Sequence, residues 1–304
     1  MGIVRQDPLE LLASGSGFQS VCLKIPPVAV AGNLPVGVDN WDFFDGSLLA
    51  IGFRDGNDVL NIEGTAVMIG FGLAISAKHV FHDRLDALLA GNEVLYAVGL
   101  RPGGHADIWQ LQHVTASNEG GDLAILSLAL MSDLPDGGRF TCLPLTARRP
   151  VRGEQLTIVG FHFDRNKNLL DRATGAVTVT GQMYAVVGEL SPFFWRVRDS
   201  SSAPFPALEI LCGVHGGMSG GAVLDKDGGV VGIVSRGWLD GEPPSLVASG
   251  VDVFGWHVTA SWPSNFYPPS TPIANIPVVR ILERQHLTIK DDGTIDLTFR
   301  VEDD

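Results

Sequence analysis

Cysteine is scarce in this chain of 304 residues: there are three, Cys22, Cys142 and Cys212. An odd count this small cannot build a disulfide framework. None of the three lies in a glycine-rich turn that would present a thiol nucleophile. Positive charge is scarce too, with 21 Lys and Arg against 34 Asp and Glu and a formal net charge of −13. A nucleic-acid partner normally meets a basic patch, so that class of function is excluded. No apolar run approaches the ~18 residues of a membrane-spanning helix. The N-terminus, Met1-Gly2-Ile3-Val4-Arg5-Gln6-Asp7-Pro8, has no signal-peptide core. Gln6 stands where a myristoylation motif wants Ser or Thr. These absences point to a cytoplasmic protein without membrane contact.

Glycine, by contrast, is abundant, at 37 residues. Many short apolar runs are broken by Gly, Asp and Pro, which predicts β-structure with tight turns and not a helical bundle. Two sets of strands emerge. One runs from Ser47–Phe53 through Gly64–Ile69, Leu73–Ser76, Glu93–Leu100 and Trp109–Thr115 to Leu123–Ser127. The other runs from Glu154–Phe161 through Ala176–Thr180, Met183–Val187, Phe193–Val197 and Leu208–Leu211 to Ala222–Leu224, Val230–Val234 and Leu246–Phe254. Pro135–Pro150 reads as the connection between them. Residues 1–45 read as an irregular N-terminal extension. Residues 263–304 read as a C-terminal extension in which Asp291-Asp292-Gly293 turns a β-hairpin.

The chemistry gathers at three places. Gly217-Met218-Ser219-Gly220-Gly221 holds one hydroxyl in a glycine-rich turn. Glycine lets the backbone approach a ligand closely, so such a turn can present Oγ together with backbone N–H groups. Acyl transfer needs that pair: a nucleophile, and donors for the oxyanion that develops on attack. The hydroxyl also needs a base, and the base needs an orienting carboxylate. Ser76-Ala77-Lys78-His79 places a histidine after an apolar strand, and Asp122-Leu123-Ala124-Ile125-Leu126 opens another apolar strand with an acid. Asp107 is the weaker competitor for the acid's role. His82 lies near His79, but zinc needs three or four ligands and no further set is found, so no metal is expected.

The order His, Asp, Ser and the motifs T/S-A-x-H, D-x-A-L/I-L and G-x-S-G-G resemble the trypsin/chymotrypsin-like serine proteases. Within them the chain is most similar to the HtrA-like bacterial branch, without a PDZ domain. The resemblance covers about residues 46–260. It implies an all-β, chymotrypsin-like protein: a protease domain over 46–262 made of two six-stranded antiparallel β-barrels, 46–140 and 152–262. It implies a serine endopeptidase with His79 as base, Asp122 as orienter and Ser219 as nucleophile. The N–H groups of Gly217 and Ser219 would form the oxyanion hole. No cofactor is implied. The partner is a protein or peptide substrate, with room for a regulatory protein as well.

Further residues follow from the same resemblance. Gly213, six before the serine, falls at the base of the primary substrate pocket, where its lack of charge argues against cleavage after Arg or Lys. Ser235-Arg236-Gly237 falls on the strand that pairs with substrate, with Gly237 leaving the entrance open, and His215 borders the pocket. An open, uncharged floor implies a small or apolar substrate side chain, with an acidic one as the alternative through Arg236 and His215. Secreted members carry bridged cysteines where this chain has Val80 and His215. Met218 stands where zymogen-activated members carry an aspartate that pairs with a freed N-terminus. Two other readings are open. Gly217-Met218-Ser219-Gly220-Gly221 also fits the nucleophile elbow of α/β-hydrolases, though no helix pattern follows Ser219. A catalytically silent, peptide-binding module on the same fold is the other.

Overall fold

The apolar runs fold as strands that curl into two closed rings. In a computed structural model of the protein, the described residues are 19–20, 32–39, 42–54, 60–117, 121–133, 140–163, 169–170, 177–178, 180–194, 198, 203–257, 271–290 and 295–298. Ahead of the barrels, Gln19–Ser20 pairs parallel with Thr141–Cys142, and Val36–Gly37 forms a further two-residue strand, β1. Six strands follow: β2 (Leu48–Arg54), β3 (Leu60–Gly70), β4 (Leu73–Ala77), β5 (Val94–Arg101), β6 (His105–Ala116) and β7 (Leu123–Leu130). They pair antiparallel in the order β2-β3-β4-β7-β6-β5, and β5 returns to β2 to close the barrel. Every residue of β7 is buried, because its outer face is covered as well as its inner one. Trp109, Phe71 and Phe140 pack edge to face in this core, with ring centroids 5.8 Å apart for Phe71–Trp109 and 4.6 Å for Phe71–Phe140. One short helix, α1 (Leu85–Leu89), follows the turn after β4.

The linker carries β8 (Leu145–Thr146). The second ring is built from β9 (Gln155–Phe163), β10 (Gly181–Phe194), β11 (Ala207–Ile210), β12 (Ala222–Leu224), β13 (Val230–Leu239) and β14 (Glu242–Ser249). Their order is β12-β9-β10-β11-β14-β13, and β12 pairs back onto β13, so this barrel also has six antiparallel strands and closes. The fold is therefore the chymotrypsin-like double barrel.

Three strand expectations change. Met183–Val187 and Phe193–Val197 are expected as two strands, but β10 runs unbroken to Phe194 and takes up Pro192 at a bulge between Leu190 and Phe193, and residues 195–197 lie outside the described residues. A bulge removes the ladder hydrogen bond that proline cannot donate. Of Ala176–Thr180, Val177–Thr178 pairs with Leu169–Leu170 outside the barrel, while Ala176 and Val179 lie outside the described residues. Leu246–Phe254 is half right: β14 starts earlier, at Glu242, and its end winds into a 3₁₀ turn over Gly250–Val253.

The described parts of both extensions are tied to the rest of the fold by strand pairing. β1 adds antiparallel to β10, with Val36 opposite Ala185, and the Asn33 carbonyl accepts a 2.8 Å hydrogen bond from Gly213 N–H. At the other end β15 (Ile281–Leu282) pairs parallel with β8. Ile273, Ala274, Ile276 and Val279 are buried in the core, which ties the described residues 271–282 to the barrels. β16 (Leu287–Ile289) and β17 (Ile295–Leu297) form the expected hairpin, whose Asp291-Asp292-Gly293 turn lies outside the described residues. Leu287 and Ile289 pack against the core. Among the described residues, no helix is long and apolar enough to cross a membrane.

Candidate active site

His79 leaves the end of β4 on a single 3₁₀ turn, Lys78–Val80. Asp122 immediately precedes β7, which pairs with β4 so that Ala77 faces Leu123. Neighbouring strand ends thus bring the two side chains together. The His79 backbone N–H donates to Asp122 Oδ1 at 2.9 Å, and His79 Nδ1 lies 2.8 Å from Asp122 Oδ2. A carboxylate can only accept, so Nδ1 carries the proton and Nε2 keeps its lone pair. Ser235 Oγ, from β13 in the other barrel, donates to Asp122 Oδ2 as well. Asp122 is largely covered, with 12% of its side chain exposed, whereas His79 is 42% exposed. Such an arrangement can hold one imidazole tautomer and stabilise an imidazolium.

Ser219 sits in the turn before β12, and that turn is fastened to the first barrel. Thr65 N–H donates to the Ser219 carbonyl at 2.8 Å. Thr65 Oγ1 donates to the Gly217 carbonyl at 2.9 Å and accepts from Phe161 N–H at 3.0 Å. Gly220 N–H donates to the Val234 carbonyl at 2.8 Å. Gly64 needs to lack a side chain here, since a Cβ would lie 2.7 Å from Val80 and 2.9 Å from the Ser219 carbonyl oxygen. The residue after His79 and the backbone of Ser219 therefore share one contact point. Among the described residues, Ser219 Oγ makes no hydrogen bond with His79, and the N–H groups of Gly217 and Ser219 have no acceptor. Catalytic hydrogen bonds are often long without substrate. Two unpaired amides beside one hydroxyl are what a developing oxyanion requires.

The competitors fall elsewhere. Asp107 is buried on β6 opposite Gly99 and pairs with Arg101 at 3.1 Å. Burial pushes its carboxyl up to about 6 in spite of that arginine. The Cys142 and Cys212 thiols are buried, and burial pushes the first well up and the second to about 12. Neither can supply a thiolate near neutral pH. Among the described residues, no group of three candidate ligands could hold a metal ion. Met218 is fully buried, and its Sδ accepts from His215 N–H at 3.3 Å.

The residues assigned to the substrate pocket lie near one another, with backbone and Val214 close beside two of the glycines. Gly213 is buried against the Gly241 backbone, where a Cβ would lie 1.9 Å from the carbonyl oxygen. A Cβ on Gly237 would lie 2.9 Å from Val214 Cγ2. Val214 thus occupies the space that the sequence left open beside Gly237. The reason is a short connection: β13 and β14 are joined by Asp240 and Gly241 alone, which draws Gly241 over Gly213. Arg236 is exposed, and His215 Nδ1 faces Asp240 Oδ1 at 3.3 Å. Hydrogen bonds from Gly216 N–H and His215 hold the Asp240 carboxyl below its ordinary value. Thr65, His162, Val214 and Asp240 were missed from sequence, because no local motif marks them.

A family model described as "Trypsin-like peptidase domain" matches residues 64–233. No curated protein matches the sequence. Among solved structures, the inactive form of the Rv3671c protease of M. tuberculosis H37Rv is 18% identical, covering 70% of this chain and 88% of that one at a TM-score of 0.43. Human heparin binding protein is 12% identical, covering 71% of this chain and 91% of that one at a TM-score of 0.47.

Proposed function

This chain belongs to the family of trypsin-like peptidase domains, and from that premise we propose that it is a serine endopeptidase working through an acyl-enzyme. Ser219 Oγ attacks the carbonyl carbon of the scissile bond while His79 Nε2 takes its proton. The carbonyl oxygen becomes an oxyanion and accepts from the N–H groups of Gly217 and Ser219. The C–N bond then breaks, His79 returns the proton to the departing amine, and an ester on Ser219 remains. Water enters by the same steps in reverse and releases the acid. Asp122 keeps the Nδ1 proton in place throughout. The observation that carries this reading is the 2.8 Å contact between Asp122 Oδ2 and His79 Nδ1, which leaves Nε2 free as a base.

Labelling with a fluorophosphonate probe at pH 8 tests it. The expected result is one adduct, on the peptide that contains Ser219. Folded protein that stays unlabelled would favour the catalytically silent, peptide-binding module. A cytoplasmic setting belongs to the same proposal, resting on Val80 and His215 where secreted relatives each carry a bridged cysteine.

For specificity we propose a small apolar residue before the cut. Gly213 offers no charge to Arg or Lys, and Val214 fills the space beside Gly237. The acidic alternative loses support because His215 already faces Asp240. Val214→Ala should therefore raise kcat/KM for a Leu-containing peptide relative to its Ala counterpart by about 10-fold or more, the scale of one or two methyl groups in a pocket. An unchanged ratio would show that Val214 does not line the pocket, and a wild-type preference for Arg or Lys would overturn the argument from Gly213.

A further inference from the structure

The Gly216–Gly217 peptide carries one of the two oxyanion donors, and nothing intrinsic to it sets its direction. Glycine on both sides leaves the peptide plane free to turn over. In a trans peptide the C=O and the following N–H point opposite ways. A flip would therefore withdraw the Gly217 N–H and put the Gly216 carbonyl oxygen in its place, where it would repel an oxyanion. The Gly216 carbonyl is engaged from one side. His162 Nδ1, near the end of β9, lies 2.6 Å from it. A carbonyl can only accept, so Nδ1 carries the proton.

The His162 ring is itself held. Tyr184 stands edge-on to it with centroids 5.9 Å apart, and His215 packs at 5.5 Å. Tyr184 and His215 are in turn edge-on at 4.9 Å. On the other side of Gly216, its N–H donates to Asp240 Oδ1 at 2.9 Å. From these contacts we infer that His162, a residue outside the triad, is a positioning residue that sets the orientation of the Gly217 amide. The inference rests on the acyl-transfer role proposed for Ser219.

The test compares wild type, His162→Leu and His162→Asn. Asparagine puts an N–H donor close to where Nδ1 stands, and leucine fills the space without one. His162→Leu should lower kcat by about 10- to 100-fold with KM within about twofold. That is less than the about 10²–10³ lost with a donor itself, because the flipped and unflipped peptides still interconvert. Affinity for a peptide aldehyde, which forms the tetrahedral adduct, should fall in parallel with kcat. His162→Asn should recover most of both, and melting curves of the two variants separate a folding defect from this effect. Equal kcat in all three, or equal loss in Leu and Asn variants, would overturn the role. The ¹⁵N spectrum of the His162 ring decides independently of turnover. The Nδ1–H tautomer is expected at pH 8, and the Nε2–H tautomer overturns the hydrogen bond. A wild type that neither hydrolyses peptides nor labels refutes the proposed function instead, and the tautomer still decides the pin.

Discussion

Ser219→Ala and His79→Ala should each lower kcat for a peptide substrate by about 10⁴–10⁶, and the double variant should be no slower than the worse single one. In the proposed mechanism serine and histidine share one step: without Nε2 the hydroxyl has no base, and without Oγ the base has no proton to take. What remains in each variant is binding and the two amides, which act without either side chain. Stability should hardly change. Ser219 is half-buried and fastened through its backbone carbonyl and not its hydroxyl, and His79 is 42% exposed. Steady-state kinetics with a melting curve for each variant checks this. A double variant far slower than either single one would show that the residues do not act in one step.

The second large effect is on the fold. Gly220→Ala should destabilise the protein by about 3–5 kcal/mol and abolish activity. The backbone at Gly220 has φ +86°, a conformation that costs a side chain roughly 1–3 kcal/mol. An added Cβ would also fall 1.8 Å from the Thr65 carbonyl oxygen and 2.4 Å from Ser76 Oγ. Neither neighbour can give way easily. Ser76 Oγ donates to that same carbonyl at 2.7 Å, and Ala66 beside it is paired to Ser76 across β3 and β4. The clash would be relieved only by moving the serine turn away from the first barrel, at about 1–3 kcal/mol for such overpacking. Gly91→Ala is the control. Its φ is +72° but nothing lies within 4 Å of the added carbon, so it should cost about 1–2 kcal/mol. Thermal unfolding should separate the two variants by on the order of 5–10 °C. Equal melting temperatures would mean that the turn is not wedged between the barrels.

Much of this was legible before any coordinates. Strand alternation and Gly/Asp/Pro punctuation identified the six strands of the first barrel within a few residues, because each is a short apolar run with turn signals at both ends. The second barrel was less legible where proline interrupts a strand. Pro192 lies inside β10, where a bulge absorbs it without ending the strand. Pro243 and Pro244 likewise hid the first residues of β14. A local signal cannot say whether the lost ladder bond is needed, since that depends on the partner strand.

By itself the sequence determined the motifs around His79, Asp122 and Ser219 and the lack of charge at Gly213, and the resemblance carried by those motifs implied the double barrel. Each motif is a property of residue identity within a few positions, and chemistry constrains identity most where a group must react or a backbone must turn. Only the tertiary structure decided that Ser235 reaches Asp122 from the other barrel, that Thr65 fastens the serine turn, that Val214 closes the space beside Gly237, and that His162 meets the Gly216 carbonyl. These are contacts between residues 54–152 positions apart, or across a hairpin whose length pulls Gly241 onto Gly213. A hydroxyl, a methyl or an imidazole looks the same in the chain whether it points at solvent or at a catalytic loop, and closure of the barrels is what aims it.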